Sequence, residues 1–538
     1  MEKRALLAIV LSIAVLYIFS FLNPPETKNV PVQSKTATIT PAPAITVPAL
    51  QPTSDLKPTS TLNVAKQKDV TVDTDLYTAV FTSRGAALKS VTLKKYREQN
   101  TPTARPVTLG DASDPVVMTF MTRAPEFNLP EGAFFLADTN SVSVAGSDKK
   151  QLIFTYISDN GLSFRKVYSF TGDSYGIGLE TQVINSGTIS FTGTLQEVIS
   201  YPAQLKPGES RYDASGSYLY SDNNLKHDKQ KDIVNSPKIY NNNLLWAGFA
   251  DKYFLTAILS ENNSIASVEL KKNQSGYLES IISSSRLSLP PGQSTVVTNQ
   301  LFIGPKDIDI LKAQGSALEQ SLDLGWFSVI AKPLLYSLKF FYQYVGNYGV
   351  AIIIITIILK VIFFPLTYKS YQSMKEMQKI QPLMMALKEK HKNDRNEMNK
   401  AVMELYREHK VNPFGGCLPM LIQIPVFFAL YKALMFSIEL RHAPFFLWIN
   451  DLSGPDNLFG ELLGLPFVIG PLPLLMGASM FVQQKMTPSN MDPVQAKMML
   501  ILPIVFTFMF LNFPSGLVLY WLLNNVLTIG QQMYINKH

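Results

Sequence analysis

A chain of 538 residues that is 46% hydrophobic and only 17% charged is too apolar for an ordinary soluble protein and too charged to lie wholly in a membrane. It divides into membrane and soluble parts. Its net charge of +7 arises in membrane proteins from the bias of basic residues toward cytoplasmic loops, and so gives no reason to infer a nucleic-acid partner. The single cysteine, Cys417, excludes an internal disulfide framework and a cysteine-built metal cluster.

At the N-terminus, Lys3 and Arg4 precede an apolar run from Ala5 to Leu22. Bulky Tyr17, Phe19 and Phe21 stand where a signal peptidase needs small residues, so 1–22 reads as a retained signal-anchor helix. A cleaved signal, leaving a chain that begins near Asn23, is the alternative. Residues 23–61 hold eight prolines and no aromatic residue, a composition that cannot bury enough surface to offset ordering entropy and predicts a flexible linker. Over 62–318 the pattern turns to short alternating runs. In YGIGLETQV, Tyr175, Ile177, Leu179, Thr181 and Val183 share one face of a strand. SRGA, TGDS and LPPGQS punctuate similar runs, which predicts a large antiparallel β-sandwich. Over 319–346, Phe327, Ile330, Leu334, Leu338 and Phe341 recur at helical spacing with Lys332 and Lys339 on another face. That pattern predicts an amphipathic helix lying in the headgroup plane, or else packed on the sandwich.

Apolar spans follow at about 347–366, 417–437, 466–482 and 498–531. The last is too long for one crossing, since its 34 residues reach about 50 Å against a hydrocarbon core of about 30 Å. NFPSG at 512–516 marks a turn within it, giving six transmembrane helices with the anchor. The segment 369–416 carries ten Lys or Arg, whereas 438–466 carries only Arg441. This places both termini and the basic segment in the cytoplasm and the sandwich outside, as in a bacterial inner membrane facing a periplasm. Within 369–414, KSYQSMKEMQKIQPLMMALKEKHKNDRNEMNK reads as a helical hairpin broken near HKND. Met374, Met377, Met384 and Leu387 stripe one arm, and Met398, Val402 and Leu405 the other.

Lys360 interrupts the first of these spans. From Val350 to Leu366 there are 13 Val, Ile, Leu or Phe residues, each favouring insertion by about 0.3–0.6 kcal/mol against about 2.5–3.5 kcal/mol for a central lysine. The span tolerates its charge. An intramembrane ionisable group points to a functional site, with a lysine snorkelling to the headgroups as the plain alternative.

The stretches NPFGGCLPMLIQIPVFFALY, LRHAPFFLWINDLS and FPSGLVLYW are long and specific. Through them, and through its whole organisation, the chain resembles the YidC/Oxa1/Alb3 family of membrane protein insertases. The resemblance implies a polytopic α-helical membrane protein of six transmembrane helices with a large periplasmic all-β sandwich. Five of those helices form the insertase core over 347–538. It implies a hydrophilic groove open to cytoplasm and lipid, with a basic residue at its heart. That residue is Lys360 here, where many relatives have Arg. Carried onto this sequence, the family pattern adds Thr356, Gln423, Tyr520 and Trp521 to the groove, and Phe427, Met476 and Met509 to the side where a client helix slides. Taken alone, Gln423 also fits an interhelical cross-link, Trp521 an interfacial belt residue and the apolar three ordinary packing. Implied partners are nascent membrane proteins, the Sec translocon, membrane lipids, and the ribosome and targeting machinery through the hairpin. No catalytic, metal or cofactor residues are implied, and no GxxxxGK[ST] phosphate loop is present. A secondary transporter would call for internal repeats, which the core sequence lacks. The family's sandwich resembles sugar mutarotases, yet His227 is the only histidine between residues 23 and 345, too little for an acid and base pair of that kind.

Overall fold

A computed structural model describes residues 67–101, 103–110, 118–202, 215–391, 394–409, 418–486 and 493–537. The anchor and linker expected over 1–61, and Cys417, lie outside the described residues.

Strands run from Asp69 to Pro305. The strand Gly176–Asn185 sits inside a nine-stranded sheet, paired antiparallel with Leu162–Thr171 on one side and Ser294–Pro305 on the other. Its alternation does what a period of two requires: Tyr175, Ile177, Leu179, Thr181 and Val183 are all buried. Two five-stranded sheets cover this large one. The ring of Phe81 lies 4.7 Å from that of Tyr168, and Tyr201 stacks at 5.1 Å on Phe249, so the aromatic core is gripped between layers. Two short helices decorate the domain, α1 (Gln230–Asn235) and α2 (Ile308–Gln314), the second capped by Asp307 accepting from the backbone of Asp309 and Ile310.

Helix α3 (Ser328–Val345) buries Ala331, Leu334, Leu335 and Leu338 against the helices that follow. Its apolar seam is therefore rotated slightly from the expected one, and Phe327, Ile330 and Phe341 are only partly buried. Gly346 adopts φ of 63°, the left-handed turn that ends a helix, and Asn347 then caps α4 by accepting from Val350 N at 3.1 Å. Helix α4 (Tyr348–Lys379) has 32 residues, about 48 Å, and continues well past the apolar span through Pro365. Helices α5 (Gln381–Lys390) and α6 (Arg395–Glu408) form the hairpin, clasped by Ile380, Met384 and Leu405. Met377, Leu387 and Val402 pack on that clasp. Met374 instead faces the cavity described below.

Helices α7 (Leu418–Phe436), α8 (Leu458–Leu463), α9 (Pro471–Met486), α10 (Pro493–Phe510) and α11 (Ser515–Lys537) complete the chain. The break between α10 and α11 falls at the NFPSG turn. It is held by Ser515 N donating to Gly454 O at 2.7 Å and Gly516 N to Leu452 O at 2.9 Å. Among the described residues, α4 is the helix that is both long and apolar enough to cross a membrane on those grounds alone.

Two cations join the β-domain to the helices. Lys339 of α3 lies 3.0 Å from Asp307, 2.5 Å from Asp309 and 3.1 Å from Glu439. Burial and the neighbouring Asp307 raise the Glu439 carboxyl above its usual range. Arg441 lies 5.6 Å over Tyr253 and 5.7 Å over Phe254, and donates to Glu98 O at 3.3 Å.

Candidate functional site: a polar groove among four helices

In the half of α4 away from the β-domain, α4, α7, α9 and α11 part to leave a cavity of about 330 Å³. The other half is closed by apolar packing, with Ile352, Ile355, Leu440, Leu452 and Leu517 all buried. A side pocket of about 20 Å³, room for one water, extends the cavity between Thr356, Lys360, Gln423 and Tyr520.

Lys360 lines both spaces and its ammonium donates to Thr528 Oγ1 at 2.7 Å. Thr356, one turn earlier, is buried in the side pocket wall, its hydroxyl donating to Ile352 O at 2.6 Å. Gln423 projects from α7 and donates to Asn524 Oδ1 at 2.6 Å. Tyr520 is buried and faces both spaces. Trp521 meets Phe427 edge to face at 4.6 Å, and both line the larger cavity. These six residues come together.

Met476 and Met509 do not line the cavity. Met476 is fully buried in the helix packing, and Met480, one turn along α9, reaches the cavity instead. Met509 is half exposed on α10, outside the cavity wall.

Polar and aromatic side chains thus line the cavity together, with a cation held by a neutral oxygen. Comparisons with known proteins cover the chain from the β-domain through the helices. Residues 340–538 match the profile of the 60Kd inner membrane protein family, and residues 69–337 that of the YidC periplasmic domain. The chain is 68% identical over 542 residues to the membrane protein insertase YidC of Pelobacter propionicus, covering 100% of this chain and 99% of that protein. The chain belongs to the YidC membrane protein insertase family. It is 53% identical to the Geotalea uraniireducens member, over 100% of this chain and 99% of the relative. A crystal structure of an active YidC insertase with its first transmembrane domain resolved is similar at 17% identity and a TM-score of 0.35, covering 87% of this chain and 92% of that one.

For this YidC-family chain, sequence reasoning missed most of α11. Asn524, Thr528 and Gln531 recur at helical spacing and all line the cavity, with Asn525 beside them. Their signal is a polar stripe in an otherwise apolar helix, LLNNVLTIGQQ. Gln531 donates to Thr367 Oγ1 at 2.5 Å, and Asn525 to Ser479 Oγ at 3.0 Å, so the stripe also ties α11 to α4 and α9.

Proposed function

We propose that this chain is a non-enzymatic insertase of the bacterial inner membrane, and that the cavity beside Lys360 is where a client's polar tail enters. The observation that carries the reading is a lysine ammonium held by a hydroxyl, not by a carboxylate, on the wall of a 330 Å³ space. Its charge stays available to an incoming anion. A client's short tail enters the polar half of the space, where Lys360, Thr356, Gln423 and Tyr520 lower the cost of dehydrating it. The adjoining apolar segment then leaves past Trp521, Phe427 and Met480 into lipid. Transfer of apolar surface to lipid drives the step, so no nucleotide is required.

In this reading six helices span the membrane with both termini cytoplasmic, the β-domain of 62–318 is periplasmic, and α3 lies at the interface. Pro365, Pro425 and Pro503 fit spanning helices, whose freed backbone groups neighbouring helices satisfy. The hairpin of α5 and α6 is the docking element for ribosomes and targeting factors, and the Sec translocon is the partner in the membrane. The β-domain is dispensable for simple clients, because the groove, Lys360 and the hairpin all lie outside residues 62–318.

The test is depletion of the protein followed by quantitative membrane proteomics. Loss of small membrane proteins with short polar tails is expected. An intact membrane proteome with uptake of one solute abolished would contradict the reading in favour of a transporter.

A further inference from the structure

We propose that Thr528 is a positioning residue for the Lys360 ammonium and thereby sets how strongly insertion favours clients with acidic tails. The inference rests on the groove function proposed above.

The geometry begins with what a hydroxyl can do. Thr528 donates its proton to the carbonyl of Asn524, one turn back on α11, at 2.6 Å. With that hydrogen committed, only lone pairs remain, and one of them receives the Lys360 ammonium at 2.7 Å. The acceptor is therefore oriented and does not rotate away. Asn524 in turn accepts at Oδ1 from Gln423 at 2.6 Å, so one chain of hydrogen bonds links α7, α11 and α4.

Depth matches as well. Lys360 lies 12 residues into α4 and Thr528 13 residues into α11, about 18 and 20 Å along helices that start side by side. At that common start Gly516 lies close to Ile352 and Leu452.

A lysine has a flexible four-carbon stem and three rotatable donors, and left alone in an apolar span it lifts its charge toward the headgroups. Thr528 holds it in the cavity at fixed depth. Because the partner is neutral, the positive field is not cancelled, and two of the three ammonium protons stay free to meet a client carboxylate. Among the described residues no carboxylate pairs with Lys360.

The test uses the full chain in proteoliposomes and clients identical except that tail aspartates are replaced by asparagines. Thr528→Val keeps size and branching and removes the acceptor. It should slow acidic-tailed clients about threefold more than neutral-tailed ones, a modest factor because a hydrated groove screens charge. Thr528→Ser should restore the wild-type ratio, and Thr528→Val added to Lys360→Ala should change the ratio no further. Thr528→Ala, which also lacks the hydroxyl, must give the same shift and serves if the valine variant does not fold. An equal slowing of both clients would make Thr528 a packing residue and overturn the proposal. So would a wild-type ratio in both hydroxyl-free variants while Lys360→Ala loses its preference, a result that leaves the groove function standing. A wild-type ratio in Lys360→Ala itself would overturn the groove function, and the positioning role with it.

Discussion

Lys166 in the β-domain and Lys360 in the helical core both leave bulk water, but with different company. Lys166 is 1% exposed and meets Glu197 at 2.8 Å, Thr122 Oγ1 at 2.7 Å and the carbonyl of Phe120. All three ammonium protons are used, the charge is cancelled and no room is left. Lys360 has, among the described residues, a single hydroxyl as hydrogen-bond partner and faces open volume. Lys166 is enclosed and neutralised, whereas Lys360, in the function proposed above, is held in place with its charge unspent. Lys306 falls between them. It is fully buried, donates to Asp251 O at 3.2 Å and lies 5.1 Å over the Tyr218 ring. Burial pushes its amine down to about 8, against the pull of Asp251 and Asp323.

The comparison breaks first at Glu197. Removing one member of a buried pair strands the other, so Glu197→Ala should destabilise the β-domain by about 3–5 kcal/mol. Hydrogen exchange across the strands Leu162–Thr171 and Gln196–Pro202 in the full chain reads this. Protection unchanged from wild type would show that Lys166 needs no counter-charge.

Lys306 sharpens the middle case. An unfolded lysine titrates near about 10.4, so between about pH 8 and that value the unfolded chain holds a proton the folded chain has released. Stability therefore rises with pH through that window, and the full penalty stands below it. Lys306→Met removes the penalty and should stabilise the domain by about 1–3 kcal/mol at pH 7, with the gain shrinking toward zero by about pH 10. Exchange protection along Ser294–Pro305 measured at both pH values is the check. A gain as large at the higher pH would contradict the assignment to buried charge.

Much of this was legible in the residues. Alternation over Tyr175–Val183 gave the buried face of a central strand, because a period of two maps directly onto two faces. Length required a turn within 498–531, and NFPSG placed it at 512–516. Lys360 stood out because a charge in an apolar span is costly. What stayed hidden was pairing over distance. Thr528 is 168 residues from Lys360 in sequence, and nothing local in α4 says which face of α11 it meets. Sheet order has the same limit, since Gly176–Asn185 pairs with Ser294–Pro305 across more than 100 residues. Met480 lines the cavity where Met476 was expected to reach because the rotation of α9 is set by its packing on α10 and α11, which hydropathy does not encode.

The most direct measurement is insertion by Lys360→Ala in proteoliposomes, scored by protease protection of clients that differ only in tail charge. A charge acting across a hydrated groove contributes on the order of 1 kcal/mol, roughly fivefold in rate. Lys360→Ala should therefore slow acidic-tailed clients about fivefold more than neutral-tailed ones, with Lys360→Arg retaining most of the preference. Insertion of both client types at the wild-type rate by Lys360→Ala would contradict the account and leave Lys360 a snorkelling lysine.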